Sequence, residues 1–347
     1  MAENKKMYYL DIARGIAIFL VVLGHVYMTD DSFNRWIYSF HVPIFFVITG
    51  IIMESSNAWK NNSIGKNLKI EARRLLYPYI TFCILAYMYI VYVYFFEVGR
   101  VTYTRLYTTI IDILILEGTS ALWFLPAMFF AKVMYMLTYK HKILSSIQVI
   151  VSIVVMYVIS QVINFISKDN LLTSYLVKIL IVIGHSICGY TFIYIGKYVY
   201  YLFEKLLCNA NVFIKIIMVI MLWMFNIYIQ QDKSVDVHMC VFGDIMSFYG
   251  GAISGSIALI GLCNIVKRCK IIEYFGRNSL IVMATHKPLP VLYYSLKLVT
   301  YIDIISYRSV AGRVFVALIT MCIEIVFIEL INQKLSFILK LRPRKNN

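Results

Sequence analysis

Mostly apolar runs of roughly 17 to 25 residues, the length that crosses a bilayer as a helix, recur along this chain between short polar segments. Ten can be marked out, at about 11–28, 38–53, 76–96, 121–138, 147–166, 176–196, 212–230, 246–266, 278–296 and 312–333. Runs of this kind predict helix. Lipid offers the backbone no hydrogen-bond partner, and an α-helix satisfies its N–H and C=O groups within its own segment. The alternating pattern of a membrane β-barrel is absent. No loop is long enough for a separate soluble domain. The expectation is therefore one all-α integral membrane domain over residues 1–347, with about ten transmembrane helices. A second run follows the first at once, with no small-residue cleavage site between them, so the first reads as a retained helix and not as a removed signal peptide.

Composition agrees with this pattern. Of 347 residues, 61% are apolar and 15% charged, and the mean hydropathy is +0.76; an ordinary soluble domain is excluded. A net charge of +15 would suggest nucleic acid in a soluble protein. Here the basic residues stand in short blocks between apolar runs, which points to topology signals and lipid headgroups, with no nucleic acid partner. One alternate set of loops and span ends holds 22 Lys and Arg, including Lys5, Lys6, Lys66, Lys69, Arg73, Arg74, Lys140, Lys142, Lys205, Arg268 and Arg342. The other set holds nine, and Arg14 and Lys287 are left out as membrane-embedded. The positive-inside bias then puts the N- and C-termini in the cytoplasm. Seven cysteines show neither a C-x-x-C pair nor metal-ligand spacing, so no metal site or disulfide framework is expected.

Ionisable residues within spans are costly and mark function by default. The first span carries Arg14 and His25. Eleven residues at 100° each return to nearly the same helix face about 16 Å along the axis. Asp11 lies one turn before Arg14. An arginine there suits a phosphate or carboxylate, and a histidine exchanges a proton near neutral pH. The competing reading is an arginine snorkelling to headgroups and a histidine capping the far end.

LDIARGIAIFLVVLGH (10–25) resembles the opening of the membrane-bound acyltransferase 3 family, whose signature is an Arg, ten residues and a His in the first helix. FHVPIFFVITG (40–50), RRLLYPY (73–79), LWFLPAMFF (122–130) and NSLIVMATHKPL (278–289) are similar to later family segments in order, LWFLPAMFF most like the sugar O-acetylase branch. The resemblance implies transfer of an acyl group, usually acetyl from acetyl-CoA on the cytoplasmic side, to a hydroxyl of a glycan or lipid-linked sugar. It also implies a multi-pass protein of the bacterial cytoplasmic (inner) membrane, among membrane lipids, and assigns no oligomeric state. Carried onto this sequence, Arg14 would contact CoA, and His25 would be the general base near the acceptor, a role for which imidazole has a suitable pKa.

Other candidates follow. His41 could orient the acceptor or tune His25, or could cap its own helix. Arg73 and Arg74, with Lys69, suit the CoA diphosphate and equally suit a membrane anchor. Glu117 with Trp123 could form a sugar-binding pair, or be a solvated acid and an interfacial ring. His286, followed by Lys287 and Pro288, predicts a broken helix lining a cavity and a third acceptor contact; His185 is a weaker candidate. Glu324 and Glu329, about 140° apart on a helix, cannot share a face. A glycan-precursor transporter or flippase, in which Arg14, His25 and His286 line a path, is the alternative function, with a membrane glycan polymerase as the third.

Overall fold

The computed structural model describes residues 7–56, 58–98, 103–139, 145–166, 170–203, 210–230, 235–303 and 305–339. Lys5, Lys6, Lys140, Lys142, Lys205 and Arg342, used in the charge argument, lie outside the described residues. Among the described residues the structure is helical without strands. The helices are α1 (Tyr8–Val26), α2 (Ser32–Phe40), α3 (Pro43–Ser55), α4 (Ile64–Glu71), α5 (Tyr77–Tyr92), α6 (Tyr103–Leu114), α7 (Phe124–Thr138) and α8 (Ser145–Phe165). There follow α9 (Leu171–Leu202), α10 (Val212–Tyr228), α11 (Ile245–Val266), α12 (Lys270–Arg277), α13 (Ser279–Thr285), α14 (Val291–Ile302) and α15 (Val310–Gln333).

Eight helical runs are long and apolar enough to cross a membrane: Tyr8–Val26, Ser32–Ser55, Ile64–Phe96, Ser120–Thr138, Ser146–Phe165, Leu171–Leu202, Ile245–Val266 and Val310–Gln333. The other two expected runs fall on the shorter apolar helices α10 and α14. The run expected at 278–296 is broken between α13 and α14, where Pro288 and Pro290 remove two backbone donors. Another break, at His41 and Val42, divides α2 from α3, and Pro43 opens α3 at a position where its missing N–H costs nothing. Sequence periodicity marked no helix over α6, which is short and amphipathic.

Helix ends are set by local chemistry. Asp31 accepts from the Asn34 N–H at 2.8 Å and caps α2, while Asn170, Asp244 and Ser309 cap α9, α11 and α15 in the same way. Lipid supplies no hydrophobic drive for helix association, so close backbone approach at small residues matters more. A Cβ on Gly50 would lie 2.0 Å from the Ile193 carbonyl oxygen, and one on Gly196 would lie 2.1 Å from that of Val47. Only glycine permits α3 and α9 to cross this closely. Gly15 and Gly276 allow the same between α1 and α12.

These crossings place α1 inside the bundle, buried along most of its length. Meanwhile α8 and α10 present Ile150, Val154, Ile220, Met221 and Met224 outward, as lipid-facing helices do. Arg14 and His25 thus sit on an interior helix whose position is fixed by backbone contact.

Candidate functional site

A cavity of about 310 Å³ opens at the His25 end of α1. His25, His41, Trp123, His238, Arg105 and Lys287 are on its wall, brought there by α1, the α2–α3 break, the turn before α7, the 235–242 loop, α6 and the α13–α14 break. Of the six histidines in the sequence, five lie on or directly behind this wall; His141 lies outside the described residues.

The hydrogen bonds of two histidines assign their tautomers. His286 is fully buried, and its Nδ1 lies 2.7 Å from the Val282 carbonyl oxygen, which can only accept. Nδ1 therefore carries the proton, and Nε2 carries a lone pair. His25 Nδ1 lies 2.9 Å from that Nε2, so His25 must donate from Nδ1. Its own Nε2 is left with the lone pair at the cavity. Two neutral imidazoles in this relay give His25 the tautomer a general base needs, and its Nδ1–H bond to His286 survives when Nε2 gains a proton.

His41 donates from Nδ1 to the Ile37 carbonyl at 2.9 Å, so it caps α2 and lines the cavity at once. Trp123 lines the cavity too, whereas Glu117 is not among the residues on its wall. Instead, Glu117 pairs with His238 Nε2 at 3.2 Å, and the His238 ring stacks on Trp123 with centroids 5.3 Å apart. The His185 ring lies 4.3 Å from that of Trp123 and 5.8 Å from that of His238, centroid to centroid, and donates from Nε2 to the His238 carbonyl at 2.6 Å. His185 is thus a support for the 235–242 loop. His238 had no signal in the sequence beyond its residue type: nothing in the spacing joins residues 117, 123, 185 and 238.

At the opposite end of α1, Asp11 pairs with Arg277 at 3.0 Å and raises that guanidinium's pKa above its usual value. Arg14 consequently has no hydrogen bond or salt bridge among the described residues, although it is half-buried. A second cavity, of about 250 Å³, is lined by Glu71, Arg74, Lys132 and Trp59. Glu71 forms ion pairs with Lys132 and, at 3.5 Å, with Arg74. Lys132 feels the positive charges of both Arg74 and Arg14, which brings α1, the chain before α5, and α7 to one place. Arg73 and Arg74 are exposed on a π-helical turn, Ala72–Leu76, that joins α4 to α5. Such turns recur at functional sites because they re-aim side chains within a helix. Lys69 is exposed on the preceding turn.

Further polar contacts brace this scaffold. Buried Arg313 reaches from α15 to Asp31 at 2.5 Å and to Asn34 at 3.2 Å. Burial alone would raise the Asp31 carboxyl pKa, but the bonds from Arg313, the Asn34 N–H and the Thr29 hydroxyl outweigh it and hold the pKa at about 2. Glu324 accepts from Thr285 at 2.6 Å and Glu329 from Tyr274 at 2.5 Å, so the two acids do turn to different neighbours.

Comparison with known proteins matches residues 7–329 to the acyltransferase domain family, the acyltransferase 3 family. A segment of 92 residues is 34% identical to the nodulation protein NolL of Mesorhizobium japonicum, covering 24% of this chain and 24% of that protein. The chain thus spans about a quarter of the length of this curated relative. No solved structure matches. The chain belongs to the acyltransferase 3 family, and among its described residues eight helical runs are long and apolar enough to cross a membrane.

Proposed function

We propose that this enzyme transfers an acyl group, acetyl in the simplest case, from acyl-CoA to a hydroxyl of a surface or lipid-linked glycan. The observation that carries the reading is the His25–His286 relay, which leaves a lone pair on His25 Nε2 at a cavity. With α10 and α13–α14 as spans beside the eight longer runs, the chain crosses the bacterial cytoplasmic membrane ten times. The positive-inside bias then puts both termini and the Arg14 end in the cytoplasm and the His25 cavity on the outer side.

The half-buried Arg14 guanidinium, which has no hydrogen bond or salt bridge among the described residues, fits an anionic group, as do Arg74 and Lys132 on the second cavity and the exposed Arg73 next to Arg74 in sequence. These residues would hold the CoA phosphates, and Lys69 would add to their field. Bound acyl-CoA supplies an activated thioester carbonyl. His25 Nε2 takes the proton of the acceptor hydroxyl as its oxygen attacks that carbon. A C–O bond forms, the C–S bond breaks, and His25 returns the proton to the departing sulfur, so the base is regenerated. His286 Nε2 accepts from His25 Nδ1 throughout and holds the ring in register. Trp123 and the His238 ring stacked on it offer flat apolar faces for the C–H side of a sugar, and His41 borders the same space. No step is assigned to a metal.

The test is mass spectrometry and NMR of the surface glycan from cells with and without the protein. An acyl ester present only with the protein is expected. An unchanged glycan, together with no thiol release from acyl-CoA by purified protein, would overturn the reading.

A further inference from the structure

The charges around the His25 cavity are unequal. Two acids at this end are matched by cations, Asp31 by Arg313 at 2.5 Å and Asp112 by Lys178 at 2.5 Å, while Glu117, which is not on the cavity wall, lies 3.2 Å from His238 Nε2. Asp236 lines the cavity, but one of its carboxylate oxygens already accepts from the His238 and Met239 N–H groups at 2.9 and 3.2 Å. The cavity wall also carries Arg105 and Lys287. Arg105 makes no side-chain hydrogen bond or salt bridge among the described residues. Among the described residues the Lys287 ammonium has only the Met28 sulfur as a hydrogen-bond acceptor, at 3.6 Å. A thioether is a poor partner for an ammonium group, and Asp236 is the acid within its electrostatic reach.

Both cations are held by the fold and are not on free loops. Lys287 directly follows His286 in the α13–α14 break, so the chain that fixes the His25 relay also points this ammonium at the cavity. Arg105 stands in the first turn of α6, whose later acid, Asp112, is taken by Lys178. Two fixed cations facing one partly engaged carboxylate leave the wall with an excess positive charge where an acceptor must lie.

We infer that Lys287 and Arg105 form an anion-binding subsite of the acceptor cavity, and that the acceptor carries a carboxylate or phosphate group beside the hydroxyl that is acylated. The inference rests on the acyl-transfer reading for the meaning of "acceptor", but the subsite itself is a matter of binding. Both side chains are exposed, and a neutral sugar would leave them facing it without a charged partner. An anion would give each a charge-assisted hydrogen bond. A uronic acid and a lipid-linked sugar diphosphate share this chemistry.

The test measures binding to purified protein in lipid nanodiscs without acyl-CoA. The probes are trigalacturonate, its carboxyl-reduced counterpart, a short-prenyl diphosphate N-acetylglucosamine and the methyl glycoside of the same sugar. At least one anionic probe should bind about tenfold or more tighter than its neutral partner, with a preference that shrinks as salt rises. In Lys287→Gln and Arg105→Gln that ratio should fall, and in Lys287→Glu it should invert. Preference for trigalacturonate alone identifies a carboxylate, and preference for the diphosphate alone a phosphate. Equal binding of anionic and neutral members in both pairs, or a ratio unchanged in all three variants, overturns the inference. Thiol release from acetyl-CoA with the same four acceptors is scored separately, so absent transfer with intact anion preference would count against the enzymatic reading alone.

Discussion

His286 touches no solvent, yet its loss should slow catalysis in a way that can be separated from loss of the base. Replacing it with Leu removes the acceptor of the His25 Nδ1–H bond, which is 2.9 Å long and becomes charge-assisted when His25 takes the acceptor proton. Hydrogen bonds to charged groups contribute about 1.5 to 3 kcal/mol. At about 1.4 kcal/mol per factor of ten, His286→Leu should lower kcat roughly 10- to 150-fold, with a smaller change in the KM for acyl-CoA. His25→Ala should cost about a hundredfold or more, because the base itself is gone. Since the two histidines act as a unit, the double variant should be no slower than His25→Ala. His286→Gln offers an amide oxygen in place of Nε2 and should recover part of the rate. The assay is acceptor-dependent thiol release by protein in nanodiscs, with thermal unfolding of each variant as a check on folding. A wild-type kcat in His286→Leu, or fully multiplicative losses in the double variant, would refute the relay.

Three other outcomes follow from the same structure. Arg73→Gln/Arg74→Gln should weaken acetyl-CoA binding by about 1 to 3 kcal/mol for each charge-assisted bond lost, and Arg14→Lys should restore only part of what Arg14→Ala loses, both read by titration with CoA. Asp31 is held at about 2 against an ordinary value of 3.8, so its contribution to stability is complete above 3.8 and disappears as pH falls toward 2. The melting-temperature gap between wild type and Asp31→Asn should therefore narrow across that window; a gap independent of pH would remove the role given to the Arg313 pair. Gly196→Ala places a methyl 2.1 Å from the Val47 carbonyl oxygen. It should lower stability by about 1 to 3 kcal/mol in spite of alanine's better helix propensity, as read by thermal unfolding.

The spans were legible because lipid imposes a simple rule on sequence: long apolar runs become helices, and eight of them did so at nearly the expected places. The broken helix around His286 was legible for the related reason that proline cannot continue a backbone ladder. Arg14 and His25 were legible as ionisable residues at helical spacing within an apolar run. Contacts between distant segments were not. Residues 117, 185 and 238 meet at Trp123 only because α9 and the 235–242 loop converge there. His238 thus joins the expected Glu117 and Trp123, bonded to the first and stacked on the second, a contact that no local spacing encodes. Arg313, one of the nine basic residues of the set opposite the cytoplasmic one, proved to be a buried tie between α15 and the start of α2.

The two ends of α1 differ in a way that suits transfer across its length. At the Arg14 end, Asp11 is drawn off to Arg277, and Glu71 is shared between Lys132 and Arg74, so cations outnumber the acids that could neutralise them. At the His25 end the base is neutral, and its proton inventory is set by a buried histidine anchored to a carbonyl. A donor that brings several negative charges and an acceptor that must lose one proton need these different environments. Between them run about three helical turns, so the separation of the two chemistries is set by the rise of α1 itself, and the Gly15–Gly276 approach seats its Arg14 end against α12. Widening that approach with a side chain would move the whole helix against its neighbours and change both ends together, whereas substitutions at either end act locally. That is why Arg14 and His25, though eleven residues apart on one helix, should give separable defects in donor binding and in proton transfer.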